Sequence, residues 1–199
     1  GDGNCFFHAF LRGVDDLYIG SYAYRETITE EELKEYEQEG KFRFRFAKTT
    51  LTPVRTALTM RKRDQVYEIN NQRLFNNNMN SFRMSYACAF RQQLARYIQA
   101  NESAHELVLR LFPEAYVLFK DEVMVDHPDY DEVKVEQVTM RNLINYYTSR
   151  IGDKNRSIEP DILILISEFY NYDIYVISNN KLHNPNADHP FPDRDLLEV

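Results

Sequence analysis

Cysteine is scarce in this sequence, since Cys5 and Cys88 are the only two among 199 residues. Two thiols cannot form a disulfide framework, so we expect reduced cysteines in an intracellular, cytosolic setting. Tryptophan is absent, and 6 glycines and 7 prolines leave few chain breaks, which favours long helices. No apolar run is long enough to cross a bilayer, and the N-terminus lacks the features of a signal peptide.

An excess of positive charge is missing as well, because 31 Asp and Glu residues outnumber 24 Lys and Arg residues and give a net charge of -7. This balance disfavours a protein whose main task is to coat nucleic acid. The length suits a single domain over residues 1–199, which we expect to be monomeric. The chain starts at Gly1 rather than Met and stops at Val199 after an apolar pair, which predicts a fragment trimmed at both ends.

Helical periodicity dominates the rest of the sequence. It predicts an apolar helix over residues 5–13, an amphipathic helix over residues 87–98 and a buried helix around residues 162–166. The asparagine-rich residues 70–80 predict a loop, and the β-branched residues 174–177 predict a strand. We therefore expect an α+β fold that is mainly helical, with a small sheet near the C-terminus.

The opening residues contain the chemically informative feature of the chain. Gly1 and Gly3 flank Asp2 and allow a tight turn, and Cys5 follows at the start of an apolar helix. The positive end of a helix favours a thiolate, and backbone amides of the turn could point at a developing oxyanion. These are the properties of a cysteine nucleophile. The alternative is a structural cysteine beside a glycine turn.

The nucleophile motif of the ovarian-tumour (OTU) family of deubiquitinating cysteine proteases resembles the run Asp2-Gly3-Asn4-Cys5-Phe6-Phe7-His8-Ala9. Residues 90–94 and 157–177 resemble later segments of that family more loosely. Residues 13–85 have no counterpart in a minimal OTU domain, and a long helical insertion there resembles the bacterial effector branch, whose members are secreted into host cells. The resemblance implies a papain-type cysteine-protease fold with a small C-terminal sheet and an inserted helical lobe.

The same resemblance implies the reaction. Cys5 would attack the isopeptide carbonyl of a ubiquitin conjugate or chain, and water would hydrolyse the resulting thioester. Backbone amides of the turn containing Gly3 and Asn4 would hold the oxyanion, while Asp2 shapes that loop. No metal or organic cofactor is required. The alternative within the family is a catalytically inactive module that binds ubiquitin.

A histidine must activate Cys5, and in the family it lies at the edge of the last sheet strand. His183 and His189 follow the predicted strand, but both lie in a loop rich in Pro, Asn and Asp. We expect the catalytic histidine beyond Val199, with His189 or His183 as the alternative within the chain. His8 lies three residues after Cys5, and we expect it to serve packing or to face solvent.

Charge is segregated within the predicted lobe, residues 13–85. Residues 26–39 contain seven glutamates, whereas residues 41–63 contain eight Lys or Arg and no acid. We expect the lobe to bind ubiquitin, with Arg43 and Arg45 at the charged rim of the contact. The basic and aromatic alternation around these residues leaves nucleic-acid binding as the other interpretation.

Overall fold

The structure is a computed structural model that describes residues 3–22, 30–38, 48–61, 68–178 and 181–183. Most of these residues are helical, and none of the described helices is long and apolar enough to cross a membrane. The elements in chain order are α1 (Cys5–Val14), α2 (Asp16–Gly20), α3 (Glu30–Gln38), α4 (Lys48–Arg61), α5 (Glu68–Ala100), α6 (Glu102–Leu111), α7 (Pro113–Asp126), α8 (Glu132–Gly152), α9 (Pro160–Tyr170), β1 (Val176–Ser178) and β2 (Lys181–His183).

The predicted α+β, papain-type fold with a C-terminal sheet is wrong. Within the described ranges, the strands are β1 and β2, three residues each, paired antiparallel with Ile177 opposite Leu182. A hairpin of this size is too small to form a sheet that supports a core. The core consists instead of apolar side chains spaced three and four residues apart along helices.

The chain divides into two compact units, and the first contains residues 1–94 and 152–157. Its core is built on α5, where one apolar stripe runs from Phe75 through Met79, Phe82 and Tyr86 to Phe90, all at most 1% exposed. Aromatic side chains of α1 and α2 pack on this stripe. The rings of Phe7 and Phe90 lie 5.8 Å apart, and those of Tyr18 and Tyr86 lie 6.0 Å apart. This packing anchors the start of α1.

The second unit contains residues 95–151 and 158–199. The ring of Phe112 stacks on Tyr147 at 4.4 Å, and the ring of Phe119 lies 5.6 Å from Tyr146. Helix α9 buries Ile162, Leu165 and Ile166, as the sequence predicts for residues 162–166. It ends at Asn171, whose left-handed backbone (φ 55°) allows the next amide to donate back into the last turn.

Candidate active site around Cys5

Cys5 is the first residue of α1, and its side chain is exposed. Asn4 precedes it in the N-cap position, is only 4% exposed, and accepts the amide of His8 on its backbone oxygen at 2.9 Å. The Asn4 side chain makes no capping hydrogen bond to α1. Amides in the first turn of a helix have no intrahelical acceptor, so this end of α1 can present donors beside the thiol.

The turn before Cys5 is held by Arg91 of α5, which is fully buried. Nη1 of Arg91 donates to the backbone oxygen of Gly3 at 2.8 Å and to Oδ1 of Asn4 at 2.9 Å. Nη2 donates to the backbone oxygen of Arg156 at 3.1 Å. A buried guanidinium is tolerated only when its donors are satisfied, and here one side chain joins three separate chain segments.

The guanidinium of Arg91 also contacts an aromatic face. Its central carbon lies 4.9 Å from the ring centroid of Phe7, which is itself fully buried. A cation over an aromatic face is attracted by the ring quadrupole, and the attraction grows when water is excluded. Arg91 is therefore positioned from both sides, by the turn that it binds and by the helix that begins at Cys5.

Gly3 fits the space left by this arrangement only because it has no side chain. Its φ is +70°, a left-handed conformation that residues with a Cβ rarely adopt. A Cβ at this position would lie 2.6 Å from the backbone oxygen of Lys154 and 2.9 Å from the backbone nitrogen and oxygen of Arg156. The segment 154–156 thus closes directly over the turn that precedes Cys5.

His8 lies one helical turn after Cys5 and is half-buried. Its Nδ1 is 2.5 Å from the hydroxyl of Tyr18. Burial raises the pKa of Tyr18 above its ordinary value, so the phenol keeps its proton, and Tyr18 and the His8 ring share one hydrogen bond. Residues three apart on a helix are neighbours, about 5–6 Å between Cβ atoms, so His8 is near Cys5 but is also part of a buried network.

Asp15 extends that network into the core. It is fully buried and caps α2, with Oδ1 accepting the amide of Tyr18 at 2.9 Å. Its Oδ2 accepts the hydroxyl of Tyr86 at 2.6 Å. The carboxylate therefore fixes Tyr18, and Tyr18 in turn fixes the ring of His8.

The structure describes three of the predicted site residues, and it brings Gly3, Asn4 and Cys5 together in one turn. Four other predicted site residues lie outside the described residues: Asp2, Arg43, Arg45 and His189. The alternative, His183, belongs to β2, but its side chain is outside the described part of the chain. Cys88 is half-buried on α5, where the side-chain amide nitrogen of Gln92 lies 3.8 Å from the Cys88 sulfur. No group of three or more His, Cys, Asp or Glu side chains that could hold a metal ion occurs among the described residues.

Arg91 is the site residue that the sequence interpretation missed. Ala87, Leu94 and Ile98 form the apolar stripe of this helix, and position 91 falls on the same stripe. A charged residue on a buried face needs a partner, so the interruption of the stripe was a usable signal. The partner could not be inferred, because Gly3 is 88 residues away along the chain.

Comparison with known proteins adds no relative. No protein-family model matches the chain, and neither a curated protein nor a solved structure matches it. The likeness to the OTU family therefore depends on the residues around Cys5 themselves.

Proposed function

We propose that this protein is a thiol-dependent deubiquitinase in which Cys5 hydrolyses isopeptide bonds of ubiquitin conjugates. The observation that carries the proposal is the exposed thiol at the first residue of α1, directly after a glycine turn that buried Arg91 holds in place. A surface cysteine without a function would not need a fixed turn before it. Here a buried cation and an obligatory glycine maintain the backbone immediately before it.

The proposed reaction has two steps. The Cys5 sulfur bonds to the isopeptide carbonyl carbon, and the carbon–nitrogen bond breaks as the lysine amine leaves with a proton from a histidine. Water then attacks the thioester carbonyl carbon and gives a proton to the histidine. The carbon–sulfur bond breaks, which releases the ubiquitin C-terminus as a carboxylate and Cys5 as a thiolate. Backbone amides of the turn containing Gly3 and Asn4 are the proposed oxyanion donors, with Asp2 shaping that loop.

Three histidines of the chain are candidates for the general base. His8 is a neighbour of Cys5 on α1, and its ring is oriented by Tyr18, as a general base is oriented by a third group. His183 and His189 are the alternatives that follow the predicted strand. Replacing each histidine in turn by Ala distinguishes them, because loss of the base lowers turnover by roughly 100- to 10,000-fold.

A second candidate function is an inactive module that binds ubiquitin. One observation favours it: the described strands are two of three residues each, and they do not form the sheet whose edge carries the histidine in the OTU family. Such a module would bind ubiquitin, and Cys5→Ala would leave that binding unchanged. It would not react with an electrophile at the ubiquitin C-terminus.

The deciding experiment uses ubiquitin with a cysteine-reactive group at its C-terminus. We expect a covalent adduct with the native chain and with Cys88→Ala, and none with Cys5→Ala. Cys88 is the matched control because it is the other thiol of the chain and is half-buried on α5. An adduct that persists in Cys5→Ala and is lost in Cys88→Ala would refute the proposal. Ubiquitin binding without any adduct would favour the inactive module.

A further inference from the structure

Helix α7 carries apolar side chains on two opposite faces. One face packs into its unit, where Val123 is 3% exposed and clusters with Val135 and Val138 of α8. Phe119 of this same face contacts Tyr146. A surface helix normally needs only this one apolar stripe, with polar residues elsewhere.

The opposite face of α7 is exposed and also apolar. Val117, Leu118, Met124 and Val125 are 55%, 65%, 52% and 80% exposed. At about 100° per residue these four positions lie within roughly 120° of the helix circumference, and the centre of this sector is about 180° from the inward face. The four side chains extend over about 12 Å along the axis, because Val125 lies eight positions after Val117.

Carboxylates lie within this apolar stripe rather than only beside it. Glu114 and Asp121 are both exposed, are seven residues apart and project from the same sector of α7 as the four apolar side chains. Around the stripe, residues 113–136 contain eight Asp or Glu and two Lys. We refer to Glu114, Val117, Leu118, Asp121, Met124 and Val125 together as the acidic-apolar stripe of α7.

We propose that the acidic-apolar stripe of α7 binds a cationic amphipathic helix of another protein. Apolar side chains of that helix would pack on Val117, Leu118, Met124 and Val125, and Lys or Arg residues one heptad apart would pair with Glu114 and Asp121. A second copy of this chain fits poorly, because the same carboxylates would face each other and repel. An anionic membrane fits poorly for the same reason, since interfacial helices carry Lys and Arg on the polar face.

The test uses two fluorescent synthetic helices about 15 residues long, stabilised by a side-chain crosslink. Both carry leucines in one stripe, and they differ only in having Arg or Glu at two positions seven residues apart within it. We expect the native chain to bind the Arg peptide and not the Glu peptide in fluorescence anisotropy. Val125→Ser removes the most exposed apolar side chain of the stripe and Asp121→Lys reverses a charge in its middle, so each should raise the Kd at least about tenfold.

Glu122→Lys is the matched control for Asp121→Lys. It makes the same charge change one residue away, at a position about 100° further round the helix and outside the stripe. We expect less than about a twofold change in Kd, a size typical of exposed charges outside the contact. All three positions are exposed, so circular dichroism should show folded variants.

Several results would overturn the proposal. Equal weakening by Glu122→Lys and Asp121→Lys would reveal general attraction of cations by an acidic surface. Failure of the Arg peptide to bind, or binding that Val125→Ser leaves intact, would exclude the stripe as the contact. Binding to phosphatidylserine vesicles that Val125→Ser abolishes would identify a membrane instead, and a dimer in sedimentation that the same variant dissociates would identify a second copy.

Discussion

Gly3→Ala should destabilise the protein, whereas Gly13→Ala should stabilise it. At Gly3 an alanine must adopt the left-handed backbone region at φ +70°, which costs about 1–2 kcal/mol. Its Cβ would also meet backbone atoms of Lys154 and Arg156 at 2.6–2.9 Å, and such overpacking costs about 1–3 kcal/mol. Backbone atoms cannot move aside as a flexible side chain can, so both costs apply.

The sum is on the order of 3 kcal/mol, which corresponds to a fall in Tm of about 6–12 °C for a chain of this size. Gly13 lies in α1 and is exposed, and a Cβ there would meet nothing within 4 Å. Alanine should therefore raise the stability by about 0.5–1 kcal/mol through better helix propensity. Urea and thermal denaturation followed by circular dichroism measure both variants.

The same pair tests whether the turn presents Cys5. Gly3→Ala should slow labelling of Cys5 by the ubiquitin electrophile at a temperature where the variant is still folded, because the turn must shift away from the segment 154–156. Gly13→Ala should label at the native rate. A Gly3→Ala protein with unchanged Tm and unchanged labelling would refute both the close approach of the segment 154–156 to Gly3 and its effect on Cys5.

Three further predictions concern the buried polar groups of the described residues. Arg91→Lys should lower the free energy of unfolding by about 1.5–3 kcal/mol and slow Cys5 labelling, because an ammonium cannot reproduce the fork of hydrogen bonds. Native values of both quantities would contradict the support of the turn by Arg91. Asp15→Ala should lower the free energy of unfolding more than Tyr86→Phe does, and the double variant should lose less than the sum of the two losses. A double-mutant cycle in denaturant measures this, and strict additivity would show that the two side chains are not coupled. Burial raises the pKa of Tyr18 and of Tyr147, so their stabilising contribution is complete below about pH 10, where the unfolded phenols are still protonated, and is lost as pH rises towards the folded values. Tyr18→Phe should flatten the decline in stability above pH 10, and an unchanged slope would exclude this linkage.

Local pattern predicted the helices that have a clear apolar face. Helix α1 begins at Cys5 as expected, and α9 covers the predicted residues 162–166. In both, neighbouring residues along the chain already specify which side is buried, so no distant partner is needed to recognise the element.

Residues 70–80 show where local propensity misleads. Asparagine is a poor helix former, yet the whole segment belongs to α5, and Asn78 donates to the backbone oxygen of Leu74 within the helix. Phe75 and Met79 lie inside this segment and are buried, in line with Phe82 further along. Burial of that stripe against the rest of its unit outweighs the weak propensity of the asparagines.

The expected C-terminal sheet came from the family resemblance and from the β-branched residues 174–177. Those residues do lead into β1, but β1 and β2 contain three residues each. A strand-like composition indicates that a segment can pair, whereas the size of a sheet depends on which other segments meet it. Residues 174–177 alone therefore do not determine how many strands pair with them.

The site divides in the same way. The order glycine, asparagine, cysteine and apolar helix is written in consecutive residues, and it sufficed to predict a thiol at a helix start. The support of that thiol was decided only by folding, because Arg91 reaches Gly3 and Asn4 across more than 80 residues of chain and the segment 154–156 closes on the turn from further still. A periodic pattern records which face of a helix avoids water, but a hydrogen bond between distant segments depends on their positions in space, and only the packed structure sets those positions.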